Sequence, residues 1–231
     1  MKLSIIIPAY NEERFIDAVI QKVHLVSLPF EPEKEIIVVN DGSTDKTAEI
    51  LNRYPTSPSF KVIQFKENKG KSFAVDQGIK NAMGDIILIQ DADLEYSPDD
   101  YPILLEAIMR QDVDVVTGSR FKGKIQGMTL MNRLANRLTN ITLNFLFHSR
   151  ISDVNSGFKV FKRQILQDIK ITSKNFGLET ELTIKLLKKG CRILEVPIDY
   201  KARTRAEGKK INWRTALQLY FGVFKYRFSQ E

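Results

Sequence analysis

Within the first 120 residues, five short apolar runs rich in Ile, Val and Phe alternate with stretches of helical pattern. They occupy residues 3–8, 35–40, 60–65, 85–90 and 113–117. Near-continuous apolar runs suit strands buried on both faces, and regular strand–helix alternation builds a parallel sheet. The expectation is an α/β fold with a Rossmann-like, mostly parallel central sheet and helices on both faces. In such sheets ligands gather beyond the carboxyl ends of the strands. There the fourth run ends in Gln90-Asp91-Ala92-Asp93. An extended chain puts residues i and i+2 on one face. Asp91 and Asp93 are therefore expected to meet one hard cation, Mg²⁺ or Mn²⁺, whose remaining ligands are water and phosphate oxygens. A pair of solvated loop acids, with Asp93 capping a turn, would carry the same letters.

The first helix is expected over residues 11–26, with Asn11 as its N-cap. Further helices are predicted over residues 72–83 and 97–110. The second half reads differently. A helix over residues 129–147 has an apolar stripe of Leu130, Leu134, Leu138, Ile141 and Phe145, and a polar one of Arg133, Arg137, Asn140 and Asn144. A short strand at 159–161, helices at 163–168 and 178–189, and a strand at 192–197 follow. A basic loop over 201–210 leads to a last, amphipathic helix at 212–228. Its stripe of Trp213, Leu217, Tyr220, Phe224 and Phe228 stands among Arg214, Lys225 and Arg227. That stripe suits either core packing or the interface of a bilayer.

At 231 residues and 43% hydrophobic, the chain suits one α/β domain. Its formal net charge of +7 points to an anionic partner. No nucleic-acid motif accompanies that charge, and the basic residues cluster by the expected phosphate sites, so nucleic acid is not expected. The one cysteine, Cys191, leaves no disulfide framework within the chain, which fits a reducing compartment. The opening strand pattern leaves no room for a signal peptide, and no run approaches the roughly 20 apolar residues of a membrane span. The expectation is a cytoplasmic protein attached peripherally to the cytoplasmic face of a membrane.

Several stretches together resemble the family 2 glycosyltransferases, which have the GT-A fold. They are Ile6-Ile7-Pro8-Ala9-Tyr10-Asn11-Glu12, Val38-Val39-Asn40-Asp41-Gly42-Ser43-Thr44-Asp45, Asn68-Lys69-Gly70-Lys71, Asp91-Ala92-Asp93 and Gly118-Ser119-Arg120. Asp153-Val154-Asn155-Ser156-Gly157-Phe158-Lys159 and Glu195-Val196-Pro197-Ile198, followed by Arg203, are similar to the branch that makes dolichyl- and polyprenyl-phosphate sugars. The family's second strand usually ends in two aspartates; here it ends in Asn40-Asp41, and Asp41 matches the nucleotide-recognition acid. The resemblance implies one GT-A domain: a nucleotide-sugar half at 1–120, an acceptor half at 121–210 and a basic aromatic helix at 211–231.

It also implies roles. Pro8, Ala9, Tyr10, Glu12, Asp41, Lys71 and Ala92 would line the donor pocket, beside the metal-binding Asp91 and Asp93. Asp41 would equally suit an Asx turn, Glu12 a first-turn acid, and Lys71 a solvated lysine. Arg120 and Arg133 match phosphate-binding arginines, with a solvated helix face as the other reading of Arg133. Glu181 matches an acid near the acceptor. Asp153, Ser156 and Gly157 match an acceptor-side motif, although Ser156-Gly157 also suits a plain turn.

The donor would be GDP-mannose or UDP-glucose and the acceptor a polyprenyl phosphate. A phosphate monoester is already anionic and needs no general base; it needs cations, which Arg203, Lys209 and Lys210 would supply. A sugar or lipid alcohol acceptor would instead require a base, with Glu181 or Asp153 available. A non-catalytic nucleotide-sugar sensor is disfavoured by the full set of Asp41, Asp91, Asp93, Arg120 and Arg203.

Overall fold

A computed structural model describes residues 1–173, 177–203 and 213–229, with residues 213–218 described as backbone only. The first strands are β1 (Lys2–Ala9), β2 (Glu33–Asp41), β3 (Phe60–Phe65), β4 (Ile86–Ile89) and β5 (Val115–Ser119). Between them run α1 (Ile16–Leu25), α2 (Thr47–Leu51), α3 (Lys71–Asn81) and α4 (Tyr101–Arg110). The second half adds β6 (Ile125–Gln126), α5 (Leu130–Phe147), β7 (Lys159–Lys162), α6 (Arg163–Leu166), α7 (Leu178–Lys188), β8 (Ile193–Pro197), β9 (Tyr200–Lys201) and α8 (Trp213–Phe228).

The main sheet runs in the order β3-β2-β1-β4-β7-β5-β8. The chain winds outward from β1 through β2 to β3, then returns to place β4 on the other flank of β1. That reversal opens a crevice past the carboxyl ends of β1 and β4, where doubly wound sheets bind ligands. β7 is antiparallel to both β4 and β5, with Ile87 opposite Phe161 and Val116 opposite Val160. It enters the middle of the sheet from the second half, where adjacency in sequence would have put β5. β6 and β9 form a separate parallel pair.

Alternation along the strands feeds two cores. Ile5, Ile7, Val38 and Leu88 pack with Ile16, Val19 and Ile20 of α1 and Leu104 and Ile108 of α4. On the other face Ile6, Ile37, Val39 and Ile87 pack with Ala74 and Val75 of α3 and Leu182 and Leu186 of α7. A third cluster, including Leu143, Val154, Ile184, Val223 and Tyr226, ties α5, α7 and α8 together.

One local expectation changes. Asn11 does not cap the first helix: its φ is 54° and its Oδ1 accepts from the Thr44 N–H at 2.8 Å. Tied to the β2–α2 turn, the chain begins α1 only at Ile16. The last helix, among the described residues, leaves its aromatic stripe only partly buried. Val223 and Tyr226 face inward, Phe224 is half-buried and Phe228 is exposed, while the side chains of Trp213 and Leu217 lie outside the described residues. Among the described residues no helix is long and apolar enough to cross a membrane.

Candidate active site

A cavity of about 420 Å³ fills the crevice. Pro8, Ala9, Tyr10 and Glu12 enter it from the end of β1, Asp41 from β2, Gly70 and Lys71 from the start of α3, and Asp91, Ala92, Asp93 and Glu95 from the segment after β4. Arg120, Gly157, Glu179, Tyr200 and Arg203 complete the far side, and α5 contributes Asn132, Asn136 and Thr139.

The carboxylate pair is not presented by an extended chain. β4 stops at Ile89, and Ala92-Asp93 lies in a turn in which Leu94 has φ of 57° and the Glu95 N–H donates to Asp93 Oδ1 at 3.1 Å. The turn, not strand alternation, brings the two acids near each other. Lys71 Nζ sits 2.5 Å from Asp91 Oδ1 and 2.7 Å from Glu179 Oε1. Burial alone would lower the lysine's pKa, but the two carboxylates outweigh it and hold the ammonium well above its usual range. Lys71 is thus an ion-paired wall of the cavity, not a solvated side chain. Asp93 Oδ2 accepts from Arg203 Nη2 at 2.7 Å. Burial, and then the nearby charge of Asp91, push the Asp93 acid up to about 7 against the pull of Arg203.

Gly157 shows why this corner needs glycine. A Cβ there would fall 2.5 Å from Asp91 Oδ2, and its N–H donates to the Tyr96 hydroxyl at 3.1 Å. Asp41, buried at the end of β2, accepts from the Lys69 N–H at 3.0 Å and the Gly70 N–H at 2.7 Å. It therefore anchors the turn into α3 rather than its own Asp-Gly turn, while still lining the cavity.

Arg203 gathers three acids from two segments. Its Nη1 donates to Glu12 Oε2 at 2.9 Å, its backbone N–H to Glu95 Oε1 at 2.7 Å, and its guanidinium lies 5.7 Å over the Phe15 ring. Its buried Nε has no hydrogen-bond partner among the described residues. Burial works against the charge, but Asp93, Glu12 and Glu95 together raise the guanidinium's pKa.

Several expected site residues have other work. Arg120 is buried, and its Nε and Nη2 each donate at 2.7 Å to Asp153. It also lies 5.1 Å over the Tyr200 ring. With that bidentate pair closed, Arg120 shapes the wall rather than offering a free charge to phosphate. Asp153 is consumed by the same pair and is no base. Glu181 is fully buried away from the cavity. It accepts from the Thr172 N–H at 2.8 Å and the Ser173 N–H at 2.7 Å, and pairs with Lys185 at 2.9 Å. Burial would raise its pKa, but these bonds lower it. Glu179, two residues earlier on α7, is the acid that reaches the cavity. Arg133 is exposed, donates to the Ile125 carbonyl at 3.4 Å and does not line the cavity. Ser156 is buried outside the lining, its Oγ without a partner among the described residues; Asn155 lines the cavity instead. Lys209 and Lys210 lie outside the described residues.

Sequence reasoning missed Glu95 and Glu179. Each stands two residues from a residue it did select, Asp93 and Glu181, and only the local turn or helix decides which member faces inward. Among the described residues six carboxylates line the cavity against three cations, one of them spent on Asp153. Oxygen donors in excess of positive charge fit a hard divalent cation. Among the described residues no group of three or more acidic, His or Cys side chains is arranged to hold a metal. Asp91 and Asp93 would hold the ion, with other ligands from elsewhere.

The comparisons agree with this architecture. The chain is 32% identical over 216 residues to a dolichol-phosphate mannosyltransferase from Pyrococcus furiosus, covering 90% of this chain but 59% of that protein's length. It is 30% identical over 201 residues to a dolichyl-phosphate hexose transferase from Haloferax volcanii, covering 87% of this chain and 83% of the relative. Among solved structures, glucosyl-3-phosphoglycerate synthase from Mycobacterium tuberculosis in complex with Mn²⁺, uridine diphosphate and phosphoglyceric acid superposes with a TM-score of 0.75. That match has 20% identity over 100% of this chain and 80% of that one, a likeness of fold. The model of glycosyl transferase family 2 matches residues 4–170, and with the crevice, the Asp-Ala-Asp turn and these relatives in agreement, the chain belongs to that family.

Proposed function

We propose that this family 2 glycosyltransferase inverts and transfers a hexose, mannose or glucose, from a nucleoside-diphosphate sugar to a polyprenyl monophosphate. The observation that carries the reading is the meeting, in one cavity, of the Asp91–Asp93 pair with Arg203, whose buried Nε has no hydrogen-bond partner among the described residues. Pro8, Ala9, Tyr10 and Asp41 form the wall for the nucleoside. Lys71 stands at the diphosphate end, where a phosphate oxygen can take the place of Asp91 or Glu179 as its partner. Arg203 faces the acceptor, and its unused donor suits a phosphate oxygen. A bound divalent cation on Asp91 and Asp93 would neutralise charge growing on the departing nucleoside diphosphate.

An uncharged alcohol acceptor would need a general base. The two acids expected for that task, Glu181 and Asp153, are tied into buried bonds, which lends weight to an acceptor that arrives already anionic. Glu179, which does line the cavity, is an acid available to the alcohol reading. The dolichol-phosphate mannosyltransferase and dolichyl-phosphate hexose transferase relatives support the lipid-phosphate acceptor, and a hydrophobic acceptor tail implies a peripheral seat at a membrane surface. The test is a panel of GDP-mannose and UDP-glucose offered with polyprenyl phosphate and Mg²⁺ or Mn²⁺, reading lipid-linked sugar. One donor should give product, and EDTA should stop it. Transfer to an alcohol with polyprenyl phosphate ignored would overturn the reading.

A further inference from the structure

Helix α5 is built inside out. In an ordinary surface helix the apolar stripe faces the core and the polar one faces water. Here the asparagines of the polar stripe face inward, beside the buried Leu143, while its Arg133 and Arg137 stay exposed. Asn140 Oδ1 accepts from the Val154 N–H at 3.1 Å and its Nδ2 donates to the Ser152 carbonyl. Asn144 exchanges two hydrogen bonds of 2.8 Å with the backbone of Ile151. Asn132, Asn136 and Thr139 line the cavity. The outer face is apolar and open: Leu130 is 83% exposed, Met131 67%, Leu134 64%, Leu138 49%, Ile141 60% and Phe145 79%.

An uninterrupted apolar face of this size on a soluble surface marks a docking site. Its charge selects the occupant. The helix has no acidic residue from Leu130 to Phe147, and its exposed charges are Arg133 and Arg137, on one flank of the stripe. A second copy docked on this face would bring arginines toward arginines with no acid in the helix to meet them. An anionic lipid surface accepts both features: apolar side chains enter the headgroup–acyl boundary while arginines reach up to phosphates. α8 packs against α5 and adds exposed Phe221 and Phe228 with the exposed cations Lys225 and Arg227.

We infer that the outer face of α5 is a docking surface for an anionic bilayer. The helix that forms one wall of the active-site cavity would then also be the one that lies on the membrane. The choice of a lipid partner rests on the lipid-phosphate reading of the site, but the exposed face stands on its own geometry.

The experiment is co-sedimentation of the full chain with vesicles of phosphatidylcholine, with and without phosphatidylglycerol. The variant is Leu134→Glu combined with Ile141→Glu; both positions are solvent-facing, so the melting curve should be unchanged. The wild type should bind vesicles containing phosphatidylglycerol, and the double variant should lose at least about tenfold in partitioning. Arg137→Gln should weaken binding to the anionic vesicles alone, as should added salt. A wild type that stays in the supernatant, or a variant that binds as well as the wild type, overturns the inference. So does a dimer, seen by light scattering, that the double variant abolishes while vesicle binding persists. A short-chain polyprenyl phosphate used without vesicles separates the two readings. Transfer to it alongside failed vesicle binding overturns docking and leaves the enzymatic proposal standing; vesicle binding with no transfer to any lipid phosphate does the reverse.

Discussion

Asp93 shows what this cavity costs and what it is for. Its acid is pushed up to about 7, first by burial and then by the charge of Asp91, although Arg203 lies 2.7 Å away. An acid whose folded value exceeds its unfolded one contributes its stability at low pH and loses it as pH rises, here between about pH 4 and 7. At pH 8 without metal, Asp93→Asn should therefore raise the melting temperature by a few degrees in calorimetry, while transfer falls about 10²–10³-fold because a preorganised stabiliser of the leaving group is gone. Arg203→Ala should act differently. Losing its charge-assisted contacts, each worth ~1.5–3 kcal/mol, it should lower transfer to a lipid phosphate by about tenfold or more and affect nucleotide affinity, measured by titration calorimetry, less.

The elements explain which residues could be read from sequence. Strands β1, β2 and β4 were legible because each is buried on both faces and so carries a near-continuous apolar run, whereas β3, at the sheet edge, is only half-buried and carries Lys61 and Gln64. The position of β7 was not, since nothing in Lys159-Val160-Phe161-Lys162 states that it slots antiparallel between β4 and β5. In α5 the periodicity showed the apolar stripe, but not that it stays exposed while Asn140 and Asn144 turn inward and Arg133 and Arg137 do not; that depends on backbone groups of residues 151–154 that only the folded chain brings to the asparagines. In α7 the resemblance pointed to an acid, and the helical rotation between positions 179 and 181 decides which one meets the cavity. The two should separate cleanly. Glu181→Gln should cost roughly 3 kcal/mol of stability by urea unfolding, since it opens a buried pair with Lys185, yet leave the folded enzyme's rate nearly intact. Glu179→Gln leaves Lys71 its pair with Asp91, so it should cost less stability than Glu181→Gln and should lower the rate.

For the whole molecule, the central sheet crosses both halves of the chain. A fragment ending before β7 would leave β4 and β5 without the strand that joins them. Residues 1–150 expressed alone should give a protease-sensitive product with poor amide dispersion by NMR, whereas residues 1–120 and 121–231 co-expressed should recover partial solubility. A second property belongs to the molecule as a system of linked equilibria. Lys71 and Arg203 are resident counter-ions on the acids that would take a metal. An ion arriving alone must displace them from those acids, leaving Lys71 with Glu179 and Arg203 with Glu12 and Glu95, each short of one partner. A nucleoside diphosphate supplies that partner, so each ligand should lower the cost of admitting the other, by the same factor in both directions. Mn²⁺ should bind the free chain weakly and at least about tenfold more tightly in the presence of nucleoside diphosphate. In Lys71→Met the gap should narrow from the metal side, with Mn²⁺ alone binding more tightly than to the wild type, as electron paramagnetic resonance of the free ion would read directly. Admission of metal and donor would then be one event, gated by two side chains that leave together.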